Sequence, residues 1–266
     1  MSTKKIIKLV LKFAVVGVLT YFFPKFMTFY IVCGIYDVTR NRPVTWALVR
    51  NYFFSKGLLV WVLSPLNILM DLLSLPYWNK GVYQLEDLSA GYQTEIAQLI
   101  RAADQAHVHQ EIRKRSAEHQ RGMIFFKWYL KNRQNDFHIE EFHQHFQYVT
   151  TVGISVFNKK VSTSAHFGPL RASLRVLYNV NTMIGKDAYI EVGNVKNYWS
   201  ESKTFIFDDT LLHQSFNNTD DLRYCLFVDI IRPSLVPGLF RGIIRVLNVL
   251  MGSVNGIFYK NWKKIK

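Results

Sequence analysis

Hydrophobic and polar positions divide the chain into four stretches. A short basic start (Lys4, Lys5, Lys8) leads into an apolar run from Leu9 to Tyr36, interrupted by Lys12 and Lys25. Pro24 should kink any helix there. A charge at mid-bilayer costs about 2.5–3.5 kcal/mol on insertion scales, which disfavours one straight span. A second run, Gly57 to Met70, carries no charge but is short for a crossing and is broken by Pro65. Basic residues (Arg40, Arg42, Arg50, Lys56) lie between the runs. Residues 1–80 are therefore expected to be membrane-associated helices, inserted as a hairpin or re-entrant pair with both ends cytoplasmic. A buried helical pair is the alternative. No small-residue cleavage site follows the first run, so it does not read as a removable signal peptide.

From Gln84 to about Lys131 the pattern is helical, with Leu85, Leu88, Ile96, Ile100 and Ala103 at three- and four-residue spacing. From Val149 the period becomes two. Strands are predicted over Val149–Phe157, Ser173–Asn181, Ala188–Val192, Thr204–Phe207 and Tyr224–Ile230, with no room for a long helix between them. That pattern predicts an antiparallel sandwich or barrel, and an α+β fold overall. The tail from Leu235 to Lys266 places Leu239, Ile243, Val246, Leu247, Leu250, Val254, Ile257 and Phe258 on one helical stripe, beside Arg241, Arg245 and a basic end. This suits a helix lying in an anionic membrane interface or packing on a core. The expected divisions are a helical region (1–80), a catalytic domain (81–234) and a basic amphipathic tail (235–266).

Charge sharpens this division. The formal net charge is +14, and 49% of residues are hydrophobic. An anionic partner is implied; the long apolar flanks favour an acidic membrane surface over nucleic acid. Two cysteines, Cys33 and Cys225, cannot make a disulfide framework and are expected to be buried thiols, in keeping with a catalytic region facing the cytoplasm.

Within the β region stand His166-Phe167-Gly168-Pro169, then Phe207-Asp208-Asp209 leading to His213, then Arg223. Two imidazoles brought together from separate strands make a candidate divalent-iron site with open positions. An arginine one strand further on has the geometry to fork onto a carboxylate. The pairs His107/His109 and His143/His145 are spaced i, i+2 and do not converge on a metal.

The ordered set His166-Phe-Gly-Pro, Leu174-Arg175-Val176, Trp199, Phe207-Asp208-Asp209 with His213, Arg223, and Val228-Asp-Ile-Ile-Arg-Pro233 resembles the aspartyl/asparaginyl β-hydroxylase family, over roughly Arg121 to Pro233. The resemblance implies a double-stranded β-helix (jelly-roll, cupin-like) and a 2-oxoglutarate-dependent dioxygenase. His166 and His213 would hold Fe(II). Arg223, helped by Ser155, would hold the distal carboxylate of 2-oxoglutarate, and Arg175 would lie near the other carboxylate. O₂ is the oxidant, and succinate and CO₂ leave.

Two departures matter. Most iron oxygenases carry a carboxylate at the position of Gly168; a glycine here is shared with the family members that act on protein side chains, which the resemblance implies manage with two histidines. Leu177 replaces a histidine common in the family. Asp208 and Asp209 are expected to form a turn and to stand behind the ligands. The segments Pro65-Leu-Asn-Ile-Leu-Met70 and Phe126-Lys-Trp-Tyr129 are similar to parts of the lipid A and ornithine-lipid 2-hydroxylases. The expected substrate is thus a membrane lipid acyl chain, hydroxylated at C2, with Arg113, Lys114, Arg115, Arg121 and Lys127 available to phosphates. A peptidyl aspartate or asparagine substrate is the alternative, and a non-catalytic basic membrane-binding protein a further one. A membrane acyltransferase is disfavoured because no histidine has an aspartate five residues on.

Overall fold

The computed structural model describes residues 3–116, 121–251 and 263–264. Pro24 splits the first apolar run into α1 (Thr3–Phe22) and α2 (Pro24–Thr39), taking the first helical position, where its missing N–H leaves no bond unmade. Then come α3 (Trp46–Phe54), capped by the Thr45 hydroxyl, α4 (Leu58–Val62) and α5 (Ser64–Leu73), with Pro65 in its first turn. After β1 (Val82–Tyr83) the expected helical stretch forms α6 (Ala90–Ala103) and α7 (Ala106–Ser116).

The helical expectation reaching Lys131 is corrected, because Arg121–Trp128 is a strand, β2. Its run Met-Ile-Phe-Phe lies in the sheet, whose two faces are both covered, so burial shows no helical period. Strand β3 (Lys131–Asn132) and the short α8 (Glu140–His143) follow. The remaining strands are β4 (Val149–Phe157), β5 (Val161–Ser162), β6 (Ser173–Asn179), β7 (Ala188–Val192), β8 (Val195–Tyr198), β9 (Thr204–Phe207), β10 (His213–Asn217) and β11 (Arg223–Ile231). The chain continues in α9 (Pro237–Met251), and β12 (Lys263–Lys264) lies parallel to β2.

One sheet runs β1-β9-β6-β11-β4-β2-β12, with β3 beside β2; the second runs β5-β10-β7-β8. Apart from β12, all pairings are antiparallel. This is the expected jelly-roll arrangement within an α+β chain. The period of two separates the faces of the large sheet. Val152, Ile154, Val156, Leu174, Val176, Leu226, Val228 and Ile230 pack with α6 and α7. Leu177, Phe205, Phe207, Cys225 and Phe227 instead meet Ala188, Ile190 and Val192 of the small sheet. Every residue of β4 and β11 is buried because both faces are covered.

The helices of residues 1–80 pack against this barrel. Met27, Val38, Tyr52, Val60 and Trp61 form a cluster with Phe167, and Met70 shares another with Leu170, Ile231, Phe240 and Ile244. Among the described residues no helix is long and apolar enough to cross a membrane, so the expected membrane-associated helices of residues 1–80 are not supported as spans. α1 carries Lys4, Lys5, Lys8 and Lys12, and the helices that follow it in this region are 16 residues or shorter, with polar groups at the ends of the two apolar runs turned to the barrel. Asp37, just after Tyr36, and Asp71, just after Met70, both reach Arg171 of the barrel, Asp71 at 2.7 Å. Arg40 binds Asp208 at 2.9 Å, and Arg232 binds Asp71 at 2.7 Å. Of the tail stripe, Val254, Ile257 and Phe258 lie outside the described residues. Its first half is α9, which buries Phe240 and Ile244 and leaves Val246 and Val249 exposed.

Candidate active site

His166 and His213 face each other as an antiparallel bridge between the segment before β6 and the start of β10. His166 N–H donates to the His213 carbonyl at 3.1 Å, and His213 N–H returns the bond at 3.0 Å. Directly paired residues put their side chains on one face, and the ring centroids are 4.2 Å apart. Each imidazole is also oriented by its own backbone. Nδ1 of His166 lies 2.8 Å from the Ser164 carbonyl, and Nδ1 of His213 lies 2.9 Å from that of Leu211. A carbonyl only accepts, so both Nδ1 atoms carry the hydrogen and both Nε2 lone pairs stay free. Burial pushes the His166 pKa down, and it pushes that of His213 far lower with the neighbouring His166 adding to the effect. Two neutral imidazoles with free Nε2 atoms fit a divalent metal. No group of three His, Cys, Asp or Glu side chains suited to an ion occurs among the described residues.

The glycine at position 168 has a structural cause. Gly168 N–H donates to the Asp209 carbonyl at 2.6 Å, and a Cβ on residue 168 would overlap the Asp209 carboxylate. Asp209 therefore fills the space a residue-168 carboxylate would need. It is tied to Arg175 at 3.1 Å, and Arg175 also binds Asp229 at 3.0 Å. Burial raises the Asp209 carboxyl to about 7; Arg175 opposes the rise while Asp229 and Asp208 add to it. The Asp208 carboxylate is taken up by Arg40, Asn79 and Thr210. Burial alone would raise its pKa, but Arg40, Arg171 and Arg232 hold it well below the carboxylate range.

A cavity of about 160 Å³ unites the five residues singled out in the sequence: Ser155, His166, Arg175, His213 and Arg223 all line it. Arg223 is 1% exposed and has no carboxylate partner among the described residues. Its guanidinium donates to the Ser215 hydroxyl at 2.9 Å and the Cys225 sulfur at 3.2 Å, and stacks 4.1 Å from the Phe157 ring; its Nε has no partner. Burial lowers its pKa. A buried cation without a counter-ion is unfavourable unless an anion completes it.

Ser155 lies on the same cavity wall but donates to the Cys225 carbonyl at 3.4 Å. Ser215, which does contact Arg223, was not singled out. Its signal was its place two residues after His213, on the same face of a strand. Among the other expected groups, Lys127 is buried and bonds Asn132, so it is not available to a phosphate, and Arg115 pairs with Glu111. His107 and His145 are exposed, His109 bonds the Tyr224 hydroxyl, and His143 stacks on His138.

The jelly-roll barrel thus brings two neutral imidazoles and a buried arginine with no carboxylate partner among the described residues into one cavity, an arrangement able to take a divalent cation and an anionic ligand. The profile of the family described as Aspartyl/Asparaginyl beta-hydroxylase matches residues 93–233, more than half of the chain. The chain belongs to the aspartyl/asparaginyl β-hydroxylase family. The ornithine lipid ester-linked acyl 2-hydroxylase of Rhizobium tropici is 36% identical over 93 residues, which is 35% of this chain and 33% of that protein. The match thus spans about a third of that relative. A 2OG-Fe(II) oxygenase family oxidoreductase from Burkholderia pseudomallei overlaps 52% of this chain and 91% of its own, with 10% identity and a TM-score of 0.34. A cupin superfamily protein from Desulfitobacterium hafniense DCB-2 overlaps 44% and 82%, with 12% identity and a TM-score of 0.28. Nothing further follows from these two loose overlaps.

Proposed function

We propose that the chain is an Fe(II)- and 2-oxoglutarate-dependent hydroxylase acting on a fatty-acyl chain of a membrane lipid, at C2. The observation that carries the reading is Arg223, a buried cation without a counter-ion that lines the same cavity as two imidazoles with free Nε2 atoms. Family membership and the lipid-acting relative support the reaction class and the substrate class.

His166 and His213 would hold the metal through Nε2. Arg223, aided by the Ser215 hydroxyl and with Ser155 on the same wall, would neutralise the distal carboxylate of 2-oxoglutarate. When bound, iron and 2-oxoglutarate with O₂ convert one substrate C–H into C–OH, releasing succinate and CO₂. Leu177, Phe157, Phe207 and Phe227 exclude water from the cavity, and Trp128, Tyr129 and Phe167 give it the apolar walls an acyl chain needs.

The flanks support membrane docking in the interface. Among the described residues, Ile184 and Val195 alone of the exposed large apolar side chains belong to the barrel. The others lie before Lys80 or after Pro233, on a chain of net charge +14. An anionic bilayer matches both the apolar area and the charge. The two buried, unpaired cysteines agree with a catalytic region on the cytoplasmic side.

Mass spectrometry of total lipid and protein from cells producing the wild type or His213→Ala tests the reading. One added oxygen on an acyl chain, seen with the wild type alone, is expected. Oxygen added to peptide aspartate or asparagine instead would move the substrate to protein, and no oxygenated product in either fraction would refute the hydroxylase reading.

A further inference from the structure

The helices before Lys80 lie outside the segment that matches the family profile, yet they reach the backbone beside both histidines. Asn67, on α5, is fully buried. Its Nδ2 donates to the Pro169 carbonyl at 3.2 Å, and its Oδ1 accepts from Arg171 N–H at 2.9 Å. One planar amide thus pairs with the loop that follows His166 as a neighbouring strand would. Pro169 has no N–H to offer and Gly168 spends its own on Asp209, so the amide supplies what this loop otherwise lacks. Asn41, just past α2 and also buried, does the corresponding work at the other histidine. Its Oδ1 accepts from Leu212 N–H at 2.6 Å, beside His213, while its Nδ2 donates to the Val38 carbonyl at 3.4 Å. The Leu212 carbonyl accepts from Gly193 N–H at 2.9 Å, so the residue before His213 is held through both its N–H and its carbonyl. Lys56 adds a bond to the Ala165 carbonyl at 2.7 Å, and the Tyr52 ring meets Phe167 edge-on at 5.7 Å.

We infer that Asn41 and Asn67 are positioning residues for the histidine pair, so that the apolar helices hold the metal ligands in register as well as docking the chain. The inference rests on reading His166 and His213 as metal ligands. The asparagines are neutral, so their removal leaves no unpaired buried charge, unlike removal of Asp37 or Asp71. Groups behind metal ligands commonly change metal affinity about 10–100-fold when removed.

The test titrates the 266-residue chain, stripped of metal by chelation, with Co(II) while visible absorption is followed. Melting of the metal-free protein is recorded alongside. Asn41→Ala and Asn67→Ala are each expected to weaken Co(II) binding about ten-fold or more and to alter the band shape. The control is Asn181→Ala. Asn181 also uses both amide ends on backbone, donating to Leu222 O at 2.8 Å and accepting from Tyr224 N–H at 3.0 Å, but away from the histidines. That variant should melt lower while binding Co(II) as the wild type does. Wild-type affinity and spectra in both alanine variants would overturn the inference while leaving the metal reading intact. Co(II) binding by the wild type that His213→Ala does not weaken would overturn the metal reading, and the positioning role with it.

Discussion

Gly168 stands where most iron oxygenases place a carboxylate, and the Asp209 carboxylate occupies the space beside it. Gly168→Ala must therefore push Asp209 off its contact with Arg175, now 3.1 Å. Overpacking of this kind costs about 1–3 kcal/mol. In a chain of this size, about 1 kcal/mol shifts Tm by roughly 2–4 °C. Melting should fall by roughly 2–12 °C in Gly168→Ala. Gly168→Asp should fall further, since two carboxylates would then compete for one buried space. Combining Gly168→Asp with Asp209→Ala vacates that space and leaves a single carboxylate two residues after His166. The double variant should regain stability relative to Gly168→Asp and bind Co(II) more tightly than the wild type, as a third protein ligand would make it. Calorimetric melting and metal titration of the four proteins decide the matter. If Gly168→Asp alone melts with the wild type and gains metal affinity, Asp209 does not hold that space and the account of the missing ligand is wrong.

Other expectations follow from the same geometry. Arg223 is an unpaired buried cation, so Arg223→Leu should keep or raise Tm while abolishing 2-oxoglutarate binding in a calorimetric titration; a large loss of stability would make Arg223 a structural residue instead. Asp71→Ala removes the carboxylate that pairs with buried Arg232 and one of those on buried Arg171, which keeps Asp37, and should cost about 3–5 kcal/mol in urea unfolding. Asp209 has a folded pKa of about 7, above its unfolded value, so it favours the fold when protonated and that contribution is lost as pH rises through 7. The Tm difference between Asp209→Asn and the wild type should therefore grow in the variant's favour from about pH 5 to about pH 8, and a flat difference would remove Asp209 from the titration. In flotation assays the chain should rise with vesicles rich in anionic lipid and less with neutral ones, since both apolar surface and charge contribute.

Period-two alternation was legible along β4, β6 and β11 because it decides which residues share a face, whatever lies opposite. Ser155, Arg175 and Arg223 therefore fall on the cavity wall, where alternation puts them. Partner choice was not legible. Arg175 turns to Asp209 and Asp229, and Ser215, not Ser155, touches the Arg223 guanidinium. Strand β10 escaped notice because His-Gln-Ser-Phe-Asn is polar in a sheet with one partly exposed face. The apolar runs misled for a related reason. Their composition suits lipid, and among the groups that tie them to the barrel four (Asp37, Asn41, Asn67 and Asp71) are polar residues scattered among many apolar ones. Hydropathy averages such residues away, although each is a buried polar group that must find a partner. Asn67 sits inside the uncharged second run, and Asp37 and Asp71 close the two runs, the places where a polar side chain is hardest to explain by lipid contact alone. Reading those four residues as demands for a partner, in place of interruptions to a span, leads to the arginine and backbone groups beside the histidines. The apolar helices thus pack onto the barrel through these groups, and two of them, Asn41 and Asn67, bond backbone close to His213 and His166.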